Sequence, residues 1–450
     1  MIKRIAFVIE RIAFVVKRIA LGYALDMTEL KYKLDDKPGW LALSLYGLQW
    51  WIISMPTIII IGAILAQTYY EPGAGQVLYM QKLFVIMGLG IIVQVLWGHR
   101  LPLIIGPSSV LLIGILLSLS AGMAATHSAI IICGLLLALI GFSGLLSRIH
   151  KFFTARIVTV ILLLIAFTLT PLILKMIFAD EARVMFNLFF ALSLVAGLII
   201  ANRLLPGIWK STTVIWGIVM GSLLYGWLGD VPLLPEPLGA VNYDGLSIFL
   251  TGLEFDPGTI LTFLFCAMGL LINELGSVEA VGQMLKVSDM NRRINRGVGV
   301  TGMANLVSGA SGVIGPVDFT MSSGIISATG CASRFTLVPA GALFVLCAFF
   351  PQLIALLVNI PGLIMGALLL YLMVSQLASG FMMMVKDKAV TDFDSAVIIA
   401  VSLMVGILIS FAPQQAMENI PPLLRSIVGN GFVMGVITVL VMEHVVYRKN

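Results

Sequence analysis

The chain has 450 residues, 60% apolar and 11% charged, whereas soluble domains run near 45–50% and about 25%. A soluble fold could not hide that much apolar surface, so lipid is the main solvent. The net charge of +5 suggests an anionic partner only until the positions of the charges are considered; they sort by side of the bilayer, and no nucleic acid is needed to explain them.

Residues 1–25 carry a seven-residue repeat, Arg4-Ile5-Ala6-Phe7-Val8, Arg11-Ile12-Ala13-Phe14-Val15 and Arg18-Ile19-Ala20-Leu21, with Lys3, Glu10 and Lys17 in phase. Charges interrupt every apolar run that a secretory signal would need. Residues 1–40 are therefore expected to form a cytoplasmic amphipathic segment lying on the membrane surface. The alternative is a basic tail that only sets topology.

Long apolar runs follow. Spans are predicted at 41–66, 81–97, 102–119, 127–147, 155–175, 185–205 and 211–229, then at 258–278, 297–311, 314–330, 335–357, 360–382, 394–412 and 427–446, which makes fourteen. With a cytoplasmic start, 23 of the 27 Lys and Arg residues fall on the cytoplasmic side. The opposite side keeps Lys82, Lys175, Arg183 and Arg425, and its longest loop carries Asp230, Glu236, Asp244, Glu254 and Asp256. This asymmetry places both termini in the cytoplasm of a multi-pass protein of the cell (inner) membrane.

Two spans are interrupted. Leu101-Pro102-Leu103-Ile104-Ile105-Gly106-Pro107-Ser108-Ser109 and Val313-Ile314-Gly315-Pro316-Val317-Asp318 both contain Ile-Gly-Pro, in the third and tenth spans. With seven spans per half these places are equivalent, and an odd repeat inverts the second half. An extended segment that opens a helix bares backbone N–H groups, tolerable at membrane depth only around a polar cavity.

The four cysteines, Cys133, Cys266, Cys331 and Cys347, lack paired spacing and are read as packing residues. His99, His127, His150 and His444 are scattered without ligand spacing, and neither a phosphate loop nor a nucleophile elbow occurs. No enzyme, metal site or cofactor is expected.

From about residue 33 to 447 the chain resembles the nucleobase-ascorbate transporters, the family of uracil and xanthine permeases. Lys33-Leu34-Asp35-Asp36-Lys37-Pro38 with Gly47-Leu48-Gln49-Trp50 is similar to the family's entry to its first span, Trp50 standing where histidine is usual. Gly98-His99-Arg100-Leu101-Pro102 with Gly106-Pro107-Ser108-Ser109 resembles the third span, and Ile360-Pro361 with Gly366 the twelfth. The closest match is Gly324-Ile325-Ile326-Ser327-Ala328-Thr329-Gly330-Cys331-Ala332-Ser333-Arg334, similar to the end of the family signature.

The resemblance implies an all-α polytopic fold of about fourteen spans in two inverted seven-span repeats, with short extended segments in spans three and ten. It implies a core domain from residues 41–147 and 258–358, a gate domain from 148–257 and 359–450, elevator-type motion and a homodimer. The function implied is secondary transport of a planar nucleobase-like solute such as uracil or xanthine, coupled to a proton or a sodium ion. An anion transporter or channel on the same architecture is the alternative, since paired helix N-termini attract negative charge.

The departures fall at the expected site. Aligned on Gly276, span eight reads Asn273-Glu274-Leu275-Gly276-Ser277, with Asn at the family's usual glutamate position and Ser at its aspartate position; in span ten Met321 and Ser322 replace Gln or Glu and Asn. Candidate solute-binding residues are Asn273, Glu274, Ser277, Ser322, Ser323, Ser108, Ser109, Gln49 and Trp50. The small ones equally suit close helix packing, and Trp50 an interfacial belt. Acids inside a membrane span are functional by default. Glu274 and Asp318 are the coupling candidates, each also readable as a structural hydrogen-bonding group, whereas Glu279 is expected in a salt bridge. If span eight is a regular helix, Asn273 faces the solute and Glu274 points about 100° away. A local bulge would bring Glu274 into the cavity instead.

Overall fold

The structure is a computed structural model that describes residues 30–146, 154–205, 213–229, 249, 252–319, 322–413 and 427–447. The amphipathic segment expected over residues 1–25, Met321 and most of the acidic loop lie outside the described residues.

In chain order the elements are α1 (Trp40–Tyr69), α2 (Ala74–Leu96), β1 (Ile105–Pro107), α3 (Ser109–Leu117), α4 (Gly122–Ser143), α5 (Ala155–Thr168), α6 (Thr170–Ile177), α7 (Val184–Leu204) and α8 (Thr213–Gly229). Next come α9 (Pro257–Met284), α10 (Met290–Ala310), β2 (Pro316–Asp318), α11 (Ser322–Thr329), α12 (Leu337–Cys347), α13 (Pro351–Val358), α14 (Gly362–Lys386), α15 (Phe393–Ser410) and α16 (Gly431–Val441). Among the described residues eight helices are long and apolar enough to cross a membrane, nine if the bent pair Arg334–Cys347 and Pro351–Val358 is one span.

Local chemistry sets the ends. Asp256 accepts from the Thr259 N–H at 2.7 Å with Pro257 at the first helical position, so α9 starts there. Asp392 and Ser395 form a capping box on α15. Gly144, at φ 72°, ends α4 in the left-handed region that favours glycine.

Three elements depart from the expected spans. α2 begins at Ala74 rather than near 81, and α10 at Met290 rather than 297, because the hydrogen-bond ladder of each helix starts before the apolar run that hydropathy detects. The expected span 335–357 is bent by 92° between α12 and α13. Pro351 opens α13, has no N–H to donate back into α12 and so starts a helix in a new direction.

Helices sort by packing. α10 lies along α4, α12 and α13 against α1 and α2, and α9 against α3, α4 and α10. Separately, α14 packs on α5, α6, α7 and α8, while α15, α16 and α5 pack together. Few contacts join the two sets, chiefly α9 with α16 and α5, α3 with α5, and α14 with α1.

Lipid supplies no hydrophobic drive between helices, so close backbone approach must hold such interfaces. The α4–α10 seam is made of glycines on both sides. A Cβ on Gly134 would stand 2.7 Å from the Gly302 carbonyl, and one on Gly309 2.9 Å from the His127 carbonyl, both backbone atoms that cannot move aside. Gly302→Val is therefore expected to destabilise the protein by about 3 kcal/mol or more, read as a fall in melting temperature in detergent. The same change at Gly197, whose Cβ would meet nothing within 4 Å, should leave it unchanged.

At the centre, β1 and β2 pair antiparallel, with Ile105 opposite Asp318, Gly106 opposite Val317 and Pro107 opposite Pro316. Each short strand leads into a short helix, α3 or α11. Crossed basic side chains close the approaches. Lys82 of α2 donates at 2.7 Å to the Ser311 carbonyl at the end of α10, and Arg293 of α10 donates at 3.0 Å to the carbonyls of His99 and Arg100 just past α2.

Candidate functional site

The strand pair brings the two interrupted segments face to face. The Ser108 N–H donates to the Gly315 carbonyl at 3.0 Å and the Phe319 N–H to the Ile104 carbonyl at 2.9 Å. The Ile104 N–H reaches the Ser322 hydroxyl oxygen at 2.9 Å. Gly315 is required here, because a Cβ would run into the Asn305 amide, whose Nδ2 donates at 2.9 Å to the Pro316 carbonyl.

α9 is a regular α-helix from Pro257 to Met284, so Asn273 and Glu274 point apart. Glu274 is 1% exposed and faces α10 and β2. Its Oε1 accepts from the Thr301 hydroxyl at 2.8 Å and its Oε2 from the Asp318 N–H at 3.1 Å. Thr301 in turn accepts from the Gln94 amide at 2.8 Å. Beside it the Ser277 hydroxyl donates to the Asp318 carbonyl at 2.8 Å, fixing α9 to β2 a second time.

Asn273 is half-buried on the other face, one turn from half-buried Gly276. A Cβ at Gly276 would meet nothing within 4 Å. Elsewhere in α9 a Cβ at Gly269 or Gly282 would run into Phe432 or Met290; at Gly276 glycine leaves space. Half-buried Phe319, whose ring covers Gly106 so closely that a Cβ there would run into it, supplies an aromatic surface beside the strands.

The remaining expected residues divide by burial. Ser108 is a helix cap that accepts from the Leu111 N–H at 3.3 Å, and Ser109 is the half-buried first residue of α3. Ser322 is buried between Ile104 and Phe319, while Ser323 is half-buried next to it. Gln49 is half-buried; Trp50, 2% exposed, donates from its indole to Thr336 at 3.0 Å and holds α1 on the turn before α12. Glu279 is half-buried near the end of α9.

His99, Gln94, Thr301 and Asn305 went unnoticed as site residues in the sequence. His99 is fully buried, with Nε2 3.1 Å from Asp318 Oδ2 and off the line of a good hydrogen bond. A signal was present, since His99 lies within the Gly98–Pro102 motif and Thr301 and Asn305 are four residues apart on one helical face. Among the described residues no group of three acidic, His or Cys side chains could hold a metal ion.

Solved structures share this fold. The transmembrane domain of a cyanobacterium bicarbonate transporter, BicA, superposes with a TM-score of 0.58 at 18% identity, covering 84% of this chain and 98% of that one. SLC26A9 gives 0.57 at 15%, covering 96% of this chain and 69% of that one. Among curated proteins, the nucleobase transporter PlUacP of Paenibacillus larvae is 23% identical over 87% of this chain and 92% of that protein. The xanthine permease of Bacillus subtilis is 22% identical over 83% and 86%. The permease family's sequence profile for xanthine and uracil permeases matches residues 41–415. A match over that much of the chain, together with apolar helices around a strand crossing, places the protein in the xanthine/uracil permease family.

Proposed function

We propose that the protein is a secondary active transporter of a planar nucleobase-like solute, a xanthine, urate or uracil, coupled to a proton or sodium ion. One observation carries this reading: the open face of α9 at Asn273 and Gly276 lies beside the strand crossing in a chain of this family. Asn273 offers both a donor and an acceptor to the edge of a base, and the Phe319 ring a face for it. A neutral site of this kind differs from the carboxylate recognition common in the family, and it leaves Glu274 to couple transport to the ion.

The two packing sets support a core domain of α1–α4 and α9–α13 and a gate domain of α5–α8 and α14–α16. The crossed Lys82 and Arg293 contacts support two inverted repeats of seven spans. The core then moves against the gate in an elevator-type cycle, in a homodimer with both termini cytoplasmic.

Purified protein in liposomes should accumulate labelled xanthine, urate or uracil under an inward proton or sodium gradient. Uptake of bicarbonate or sulfate in place of all three bases would show the anion carrier instead. Asn273→Ala should raise the apparent binding constant of the transported base about 5- to 150-fold, the effect of leaving one buried ligand group unpaired.

A further inference from the structure

We propose that His99 is the proton-accepting residue that links the buried acids Glu274 and Asp318 to the basic end of the protein, and that a proton on it releases the segment 98–104 leading into β1. Its place in coupling rests on the transporter reading above; the protonation chemistry itself does not.

The Leu101 N–H donates at 2.9 Å into Nδ1 of His99. A nitrogen that accepts cannot also carry a proton, so in this arrangement the ring is neutral with its hydrogen on Nε2. Nε2 lies 3.1 Å from Asp318 Oδ2, off the line of a good hydrogen bond, and both Asp318 oxygens are buried beside the Glu274 carboxyl. One peptide unit away, the Asp318 N–H binds Glu274 at 3.1 Å. The three groups form a continuous buried row from α9 through β2 to the end of α2.

Charged neighbours bound the row on one side only. From α9 comes Glu274, from β2 Asp318 and from α10 Arg293, whose guanidinium holds the His99 and Arg100 carbonyls. From the turn before α12 comes Arg334, which reaches the Val95 carbonyl and pairs with Asp35 at 2.7 Å. α2 presents only the neutral Gln94, whose Oε1 accepts from the His99 N–H at 3.2 Å.

A proton arriving at Nδ1 makes an imidazolium, with Nε2–H 3.1 Å from Asp318 Oδ2 and needing a small ring rotation to come into line with it. The lone pair that held Leu101 is then gone, and the Leu101 N–H must find another acceptor. Passing the Nε2 proton to Asp318 Oδ2 returns the ring to neutrality with its hydrogen on Nδ1, so one proton has moved inward and no electrons have been transferred. The released segment ends at Ile104, which ties β1 to Phe319 and Ser322. Proton loading is thereby felt at the strand crossing.

Two variants separate the ring's atoms. His99→Asn puts an acceptor near Nδ1 that does not titrate, and His99→Gln puts a donor near Nε2 but leaves Leu101 unheld. In full-length protein in phosphatidylethanolamine–phosphatidylglycerol nanodiscs, amide exchange at Leu101 is measured at about pH 7.5 and about pH 3.5, because burial holds the His99 imidazole below its ordinary value, and divided by the intrinsic rate. The wild type should exchange about tenfold faster at the acid pH, the loss of one hydrogen bond. His99→Asn should stay slow at both values and His99→Gln fast at both. Wild-type exchange that stays as flat as that of His99→Asn would overturn the role. If His99→Asn does not fold, convergence of the wild type on the His99→Gln rate in acid makes the same decision. In liposomes His99→Gln should lose proton-driven accumulation of xanthine while keeping exchange. Absence of xanthine, urate and uracil transport in the wild type would remove the transporter reading and leave the exchange result standing.

Discussion

Glu274→Gln is expected to abolish solute accumulation driven by a pH gradient while leaving exchange between equilibrated compartments within about twofold of wild type. The carboxyl is buried, with Thr301 donating to one of its oxygens and the Asp318 N–H to the other. Among the described residues no Lys or Arg pairs with this carboxyl, and burying an unpaired charge costs several kcal/mol. Gain and loss of a proton here therefore change the energy of α9 against β2. Glutamine keeps the shape and one acceptor for Asp318, and Thr301 can rotate to accept from the new amide, so the fold survives while titration is lost. Accumulation is measured in liposomes with an inward proton gradient, and exchange by counterflow with unlabelled solute inside. Undiminished accumulation would exclude Glu274 from coupling and leave Asp318 and His99 as the coupling groups. Loss of exchange as well would assign Glu274 to holding β2 in place.

Gly276→Leu is expected to eliminate uptake with no loss of stability. A Cβ at this position meets open space, so the larger side chain costs no steric strain and replaces the least helix-favouring residue after proline, a gain of up to about 1 kcal/mol. It projects beside Asn273 into the volume assigned to the solute. Uptake should fall at least tenfold, with a melting temperature in detergent equal to or above that of the wild type. Normal uptake by a stable Gly276→Leu protein would move the solute site away from this face of α9. The outcome contrasts with Gly302→Val, where the same class of change strikes backbone and lowers stability.

Much of the fold was legible because its signals are local. Apolar runs mark helices that must satisfy their own backbone in lipid, and Gly-Pro interruptions mark the places where that rule is relaxed. The repeated Ile-Gly-Pro thus located both strands, and their pairing in space follows from their equal and opposite approach to the centre. The start of α10 at Met290, in the polar stretch Met290-Asn291-Arg292-Arg293, was missed by hydropathy, which reads the apolar run rather than the hydrogen-bond ladder.

The site was legible in part. The order Asn273-Glu274 on a regular helix requires the two side chains to diverge, and the sequence by itself determined that much. Which of the two meets the open side depended on α10 and β2 arriving against the Glu274 face with Thr301 and Asp318. Trp50 likewise reads as an aromatic face for a solute until Thr336, distant in the chain, accepts its N–H. His99 looked isolated because its partner stands 219 positions further along, and only the strand crossing carries Asp318 to it. Composition, charge asymmetry and interrupted helices are properties of neighbouring residues, so the sequence alone determined a multi-helix membrane carrier with a broken centre. Contacts between a polar group on one helix and a backbone atom on another have no period along the chain, and only the tertiary structure decided which acids, amides and histidine share one buried row.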